Sequence, residues 1–175
     1  MDSVITPEFV AAFGAGLLVN LQIAAVALAL GLVVGSMLAA LLLSHPVAQR
    51  IGATLLWPLR AAPTFVVMFV LLNLLPSELR FWPGGRTTMS PWWAVVLSQT
   101  AYTSAFAADV LVDALRQRRL GSPLGLVMLP TALLRAFFVV TLSSGFGAAI
   151  GVVESTAVTM RAIEALPTLS QRLTL

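Results

Sequence analysis

"LLWPLRAAPTFVVMFVLLNLLP", residues 55–76, places an arginine between two prolines at the head of a run long enough to enter a membrane. Arg60 is followed by fifteen uncharged residues, Ala61 to Leu75. A guanidinium is costly in hydrocarbon, and prolines interrupt the backbone hydrogen bonds of a helix. Arg60 and Pro63 therefore read as a helix-entry motif. The arginine sits near the end of a span, where its long side chain can snorkel to the interface.

The composition around this stretch sets the class. Apolar residues make up 59% of the chain and charged residues 10%, with a mean hydropathy of +0.97. A soluble domain carries about a quarter charged residues. An integral membrane protein follows, with no cysteine for disulfides or thiolate metal sites. The ten basic residues are all arginines, placed in short loops and at segment ends. Nucleic-acid binding needs a continuous basic face, which is not found.

Outward from residues 55–76, the chain divides into apolar segments. Phe9 to Ser44 holds 36 residues without an ionisable side chain, more than the roughly 20 that a helix needs to cross. A span is expected at about 17–43, after an interfacial lead-in with Gly14 and Gly16. His45, Pro46 and Gly52 mark the following loop. The N-terminus, with Asp2 and Glu8 ahead of the apolar run, does not read as a cleavable signal. The second span falls at about 54–75 and is followed by the polar loop "PSELRFWPGGRTTMSP" (76–91). The third, at about 92–115, starts on the interfacial pair Trp92 and Trp93 and closes on Asp109, Asp113 and "RQRR" (116–119). The fourth, at about 131–153, follows Pro130 and contains Arg135. The tail 154–175 is amphipathic. Residues 1–175 are thus expected to form a single transmembrane domain. It is an all-α, polytopic membrane helix bundle of four spans, or five if the last apolar segment splits at Ser143–Gly145.

Orientation follows the arginines. With the N-terminus outside, Arg50, Arg116, Arg118 and Arg119 are cytoplasmic, against Arg80 and Arg86 outside. Asp109 and Asp113 share one helix face and are expected to accept hydrogen bonds from Arg116 or Arg119. This group is expected to form the cytoplasmic contact with a partner. Gly31 and Gly35 form a G-x-x-x-G that allows close helix packing within the chain. His45, the only histidine, lies in a loop, and no G-x-S-x-G or H-E-x-x-H occurs. An enzyme is not expected, nor is a cofactor or metal in this chain.

Several short motifs occur in the order found in bacterial amino-acid ABC importer permeases of the histidine/glutamine type. "LRAAP" (59–63) resembles the R-x-x-P that opens that family's second core helix. "GLLVNLQIAAVALALGLVVGSMLA" (16–39) resembles its first helix, with Asn20 where threonine is usual. "AYTSAF" (101–106), "MLP" (128–130) and "IGVVE" (150–154) resemble its A-Y-x-x-E, I-L-P-Q-A and I-G-V-x-E-L. The resemblance covers about residues 14 to 166 and implies an ABC importer permease-like fold in the bacterial cytoplasmic (inner) membrane. It implies amino-acid transport with a second permease, ABC ATPase subunits and a periplasmic binding protein. Four departures are visible. Ala105 and Ala108 stand where the family has glutamate and arginine. "RQRRLGSPLG" (116–125) replaces the longer G-x-x-E-A-A loop whose short helix docks on the ATPase. "LSSGF" (142–146) lacks the family's lysine and aspartate. The family's last transmembrane helix is expected to be missing. These departures keep a second reading open, a permease-derived structural subunit that packs in a larger membrane complex without transporting.

Overall fold

The computed structural model describes residues 5–74 and 89–166. Expectations placed on Arg80, Arg86, the polar loop through residue 88 and the tail beyond Leu166 lie outside these residues. Among the described residues six α-helices form one bundle: α1 (Pro7–Leu42), α2 (Pro46–Ala61), α3 (Thr64–Leu74), α4 (Pro91–Arg119), α5 (Leu124–Ser143) and α6 (Ser155–Ala165). A 3-10 helix, Ser144–Ile150, joins the end of α5 to the turn before α6.

The starts of the helices follow from local chemistry. Thr6, His45 and Ser90 each precede a proline and accept a backbone N–H from the first turn, at Phe9, Ala48 and Trp93. A side-chain acceptor there satisfies an orphan donor, and proline at the first helical position gives none up. α1 therefore begins at Pro7, ten residues before the expected span. Gly16, expected in an interfacial lead-in, is buried within the bundle. At 36 residues α1 is about 54 Å long. Pro46 and Gly52, expected in a loop, lie inside α2.

α4 is the central helix. Of its most apolar stretch 56% is buried, against 28% for α1 and 11% for α5 with the 3-10 helix. Ile23, Ala24 and Ala27 of α1 pack with Met68 of α3, Ala94, Val95 and Val96 of α4, and Val140 of α5. A second cluster, Leu38, Leu56, Ala105 and Ala108, joins α1, α2 and α4 toward the other end. Two polar cross-links register the helices: Thr103 Oγ1 donates to the Ala27 carbonyl at 2.8 Å, and Gln99 Nε2 donates to Ser143 Oγ at 2.9 Å.

α1, α4 and α5 with its 3-10 extension are long and apolar enough to cross a membrane. The expected second span, 54–75, is not one helix. It is α2 and α3, bent by 92° at Ala62–Pro63, and it makes a fourth crossing if the bent pair counts as one span. α5 begins at Leu124 and runs through Pro130, so the expected start at 131 is seven residues late.

Candidate functional site at the α2–α3 elbow

Pro63 explains the elbow. A residue before proline is pushed out of the helical region, and Ala62 is extended at φ −75°, ψ 115°. α2 stops there, leaving Arg60 in its last turn. Arg60 reaches across to Asp109 on α4, with Nε donating to Oδ2 at 3.3 Å and Nη2 donating to Oδ1. The pairing is two-pronged, which suits the planar guanidinium. Both side chains remain about half exposed in the isolated chain.

The pair lies at one end of an open groove of about 460 Å³. Leu42, Leu56 and Val112 form its apolar wall, and Asp113 and Arg116 line it farther along α4. Arg118 and Arg119 lie beyond the groove, exposed in the last turn. The expected pairing of Asp109 and Asp113 with Arg116 or Arg119 is therefore corrected. Among the described residues the salt bridge is Arg60–Asp109, and neither Asp113 nor the three arginines of 116–119 is ion-paired. A pairing between helices displaced the pairing along one helix.

Beyond Arg119 the chain turns at once. Leu120 to Pro123 connect α4 to α5, so Arg116–Arg119, expected in a loop, belong to α4. Gly121 adopts φ +84°, a left-handed conformation that favours glycine. The Gly121 and Ser122 amides close on the Arg118 and Gln117 carbonyls, each at 3.0 Å. Gly125 then lies against α4, where an added Cβ would come within 2.6 Å of the Ala114 Cα. The connection contains no helix.

Gly31 and Gly35 lie against α4. A Cβ on Gly31 would sit 2.5 Å from the Thr103 Cβ, and one on Gly35 would sit 2.6 Å from the Ala107 Cβ. The small-residue pair lets the two helix backbones approach closely. Ala105 and Ala108 are both buried between α1, α2 and α4.

Asn20 and Glu154, quoted above only as motif positions, form a second polar group whose pairing went unread in the sequence. Glu154 is fully buried and caps α6. Its Oε1 accepts from the Ala157 amide at 2.9 Å, and its Oε2 accepts from the Thr156 amide at 2.8 Å and from Asn20 Nδ2 at 3.0 Å. Asn20 also donates to Ser144 Oγ at 2.7 Å, while its Oδ1 accepts from the Ser155 hydroxyl at 2.8 Å and amide at 3.1 Å. Gly16 makes room, since a Cβ there would meet the Ser155 nitrogen at 2.6 Å. α1, the 3-10 helix and α6 are thereby fastened together without a cation. A clue was present: "EST" (154–156) reads as a helix cap, and Asn20 is one of the few polar residues in an apolar run. Among the described residues no group of three His, Cys, Asp or Glu side chains is placed to hold a metal ion.

No protein-family model and no curated protein matches the sequence. A search of solved structures finds a crystal structure of an amino acid ABC transporter with histidines. It has a TM-score of 0.72 and 18% identity, over 95% of this chain and 85% of that one. The chain shares the fold of that transporter chain, and it is a multi-pass helical membrane protein.

Proposed function

We propose that the chain is a permease subunit of an ABC-type amino-acid importer. The observation that carries this reading is the shared fold over nearly the whole chain, with the order of short motifs in support. A second permease, ABC ATPases and a periplasmic binding protein would complete the machine. The N-terminus would face the extracytoplasmic side, placing the Arg116–Arg119 end in the cytoplasm of a bacterial inner-membrane protein.

The geometry supports rocking of a locked unit. Alternating access needs two states of the bundle, biased by substrate and by ATP. Arg60–Asp109 ties the elbow to α4, and Asn20–Glu154 ties α1 to α6 through the 3-10 segment. The elbow is thus held to α4 and α1 to α6, so motion falls between this subunit and its partner. Chemistry on a substrate is not part of this role.

The four-residue α4–α5 connection limits how ATP is used. A permease that couples through a cytoplasmic helix needs one between these spans, and Leu120–Pro123 form only a turn. The partner permease would provide the main ATPase contact. Arg116, Arg118 and Arg119, with the Asp113 groove, would add an electrostatic one. The same turn is the observation that favours the second reading, a permease-derived subunit that supports a larger complex without transporting.

Isolation in mild detergent separates the two. An importer half brings an ATPase and another permease with it, and a scaffold brings other membrane subunits and no ATPase. Single cysteines at Gln117 and Ser122 extend the test. Strong crosslinks to the ATPase that respond to ATP would show that the turn couples directly, against the division of labour proposed here.

A further inference from the structure

α2 presents three faces, and each points to a different medium. At about 100° per residue, Ala48, Gly52, Leu56 and Leu59 fall on one face and pack against α1 and α4. Val47, Ile51, Leu55 and Pro58 fall on the next, all exposed. Gln49, Arg50, Ala53 and Arg60 fall on the third. The apolar stripe is conspicuous, with Val47 63%, Ile51 51% and Leu55 50% exposed.

The direction of the stripe follows from neighbouring elements. α3 runs beside α4, a helix of membrane-spanning length, with Met68 packed among Ala94, Val95 and Val96. α2 stands at 92° to α3 and so lies across the membrane normal. Its Ala53, Leu56 and Arg60 line the groove that Asp113 and Arg116 share, toward the charged end of α4. That side faces away from the apolar part of the bundle. Val47, Ile51, Leu55 and Pro58 lie about half a turn round from it, facing back toward the apolar part.

From these relations we propose that α2 is an in-plane interfacial helix, its Val47–Ile51–Leu55 stripe seated in the acyl chains of one leaflet. Arg50 lies on the polar side of the stripe, with Trp57, 72% exposed, just beyond it round the helix. They reach the headgroup layer, the depth favoured by aromatic and snorkelling side chains. Interfacial helices of this kind pair an apolar face with a basic polar one. α2 then sets the depth of Arg60 and Asp109 at the membrane surface. This inference does not depend on the transport reading.

Nitroxide labels on single cysteines test it, with the full chain in liposomes of phosphatidylethanolamine and phosphatidylglycerol. All five sites are exposed, so labels do not disturb the core. Labels at Val47→Cys, Ile51→Cys and Leu55→Cys are expected to collide more with oxygen than with a water-soluble nickel chelate, all three at one shallow depth. Gln49→Cys and Ala53→Cys are expected to show the reverse. A depth increasing steadily from 47 to 55 would mean that α2 crosses the bilayer. Nickel dominating at all five sites would mean that the stripe faces water. Immobile labels closed to both reagents would mean that protein covers it. Each of these three results overturns the proposal.

Discussion

Arg60 and Asp109, 49 positions apart, close the α2–α3 elbow onto the central helix α4 through a two-pronged guanidinium–carboxylate pair. A charge that looks misplaced beside fifteen uncharged residues has its counter-charge on another helix. The pair is about half exposed, so its own contribution is modest, about 0.2–1 kcal/mol for a pair open to water. Its importance is positional, because the break at Pro63 interrupts the helical hydrogen bonding between α2 and α3.

Removing either partner should loosen the elbow. Arg60→Ala and Asp109→Ala are each expected to lower the yield of assembled complex. Arg60→Lys should retain part of it, because lysine keeps the charge without the planar fork. Exchanging the two, Arg60→Asp with Asp109→Arg, should recover more than either single reversal. A double-mutant cycle on thermal stability in detergent is expected to give coupling of about 0.5–1 kcal/mol. An additive cycle would remove the pair from the account.

The glycine seam between α1 and α4 should not tolerate bulk. Gly35→Leu would place side-chain carbon against Ala107 and the Ser104 carbonyl, where even a Cβ comes within 2.7 Å. Overpacking of this kind costs about 1–3 kcal/mol, and here the backbones would have to separate. The variant is expected to lose most of its folded yield by size-exclusion chromatography, whereas Gly14→Leu, open on every side, is expected to behave as wild type.

Glu154 should matter more than any exposed charge. Glu154→Ala strands the Thr156 and Ala157 amides and one of the two N–H groups of Asn20 Nδ2, which keeps Ser144, all buried or partly buried donors. One unsatisfied buried donor costs about 1–3 kcal/mol, so a loss of at least about 2 kcal/mol is expected. Glu154→Gln keeps one oxygen acceptor on the same stem and should lose less. Unfolding followed by circular dichroism in detergent ranks the two, and equal stability of Glu154→Ala and wild type would contradict the assignment.

Much of this architecture was open to a reading of residues alone. Pro7, Pro46 and Pro91, each after a capping side chain, mark three helix starts, and Pro63 marks the break. The elbow was missed because averaged apolarity over 54–75 hides two different helices. The stretch 47–59 alternates buried and exposed apolar positions at helical spacing, which is an interfacial pattern rather than a spanning one. The partner of Asp109 was out of reach for a different reason. Helical spacing identifies neighbours within one helix, and it offered Arg116 or Arg119 as the local choices. Which residue of another helix faces Asp109 depends on how α2 packs, through Ala48, Gly52 and Leu56. Glu154 was similarly hidden, since its burial arises only once α1 lies over the start of α6 at Gly16.

Topology is checked by thiol chemistry, made clean by the absence of native cysteine. With the N-terminus outside, an impermeant reagent added to intact cells is expected to label cysteines introduced at Ser3 and Gly84 and to spare Gly121. The reverse pattern would invert the orientation and move the Arg116–Arg119 end out of the cytoplasm.

ATP-driven uptake tests the central claim most directly. The complex purified through this chain is placed in liposomes with ATP inside, and labelled amino acids with the periplasmic binding protein are supplied outside. Uptake that requires ATP, and that falls with the Gly35→Leu chain, is the predicted result. A complex that contains no ATPase, or that accumulates no amino acid with ATP present, would contradict the importer reading and leave the chain a structural subunit.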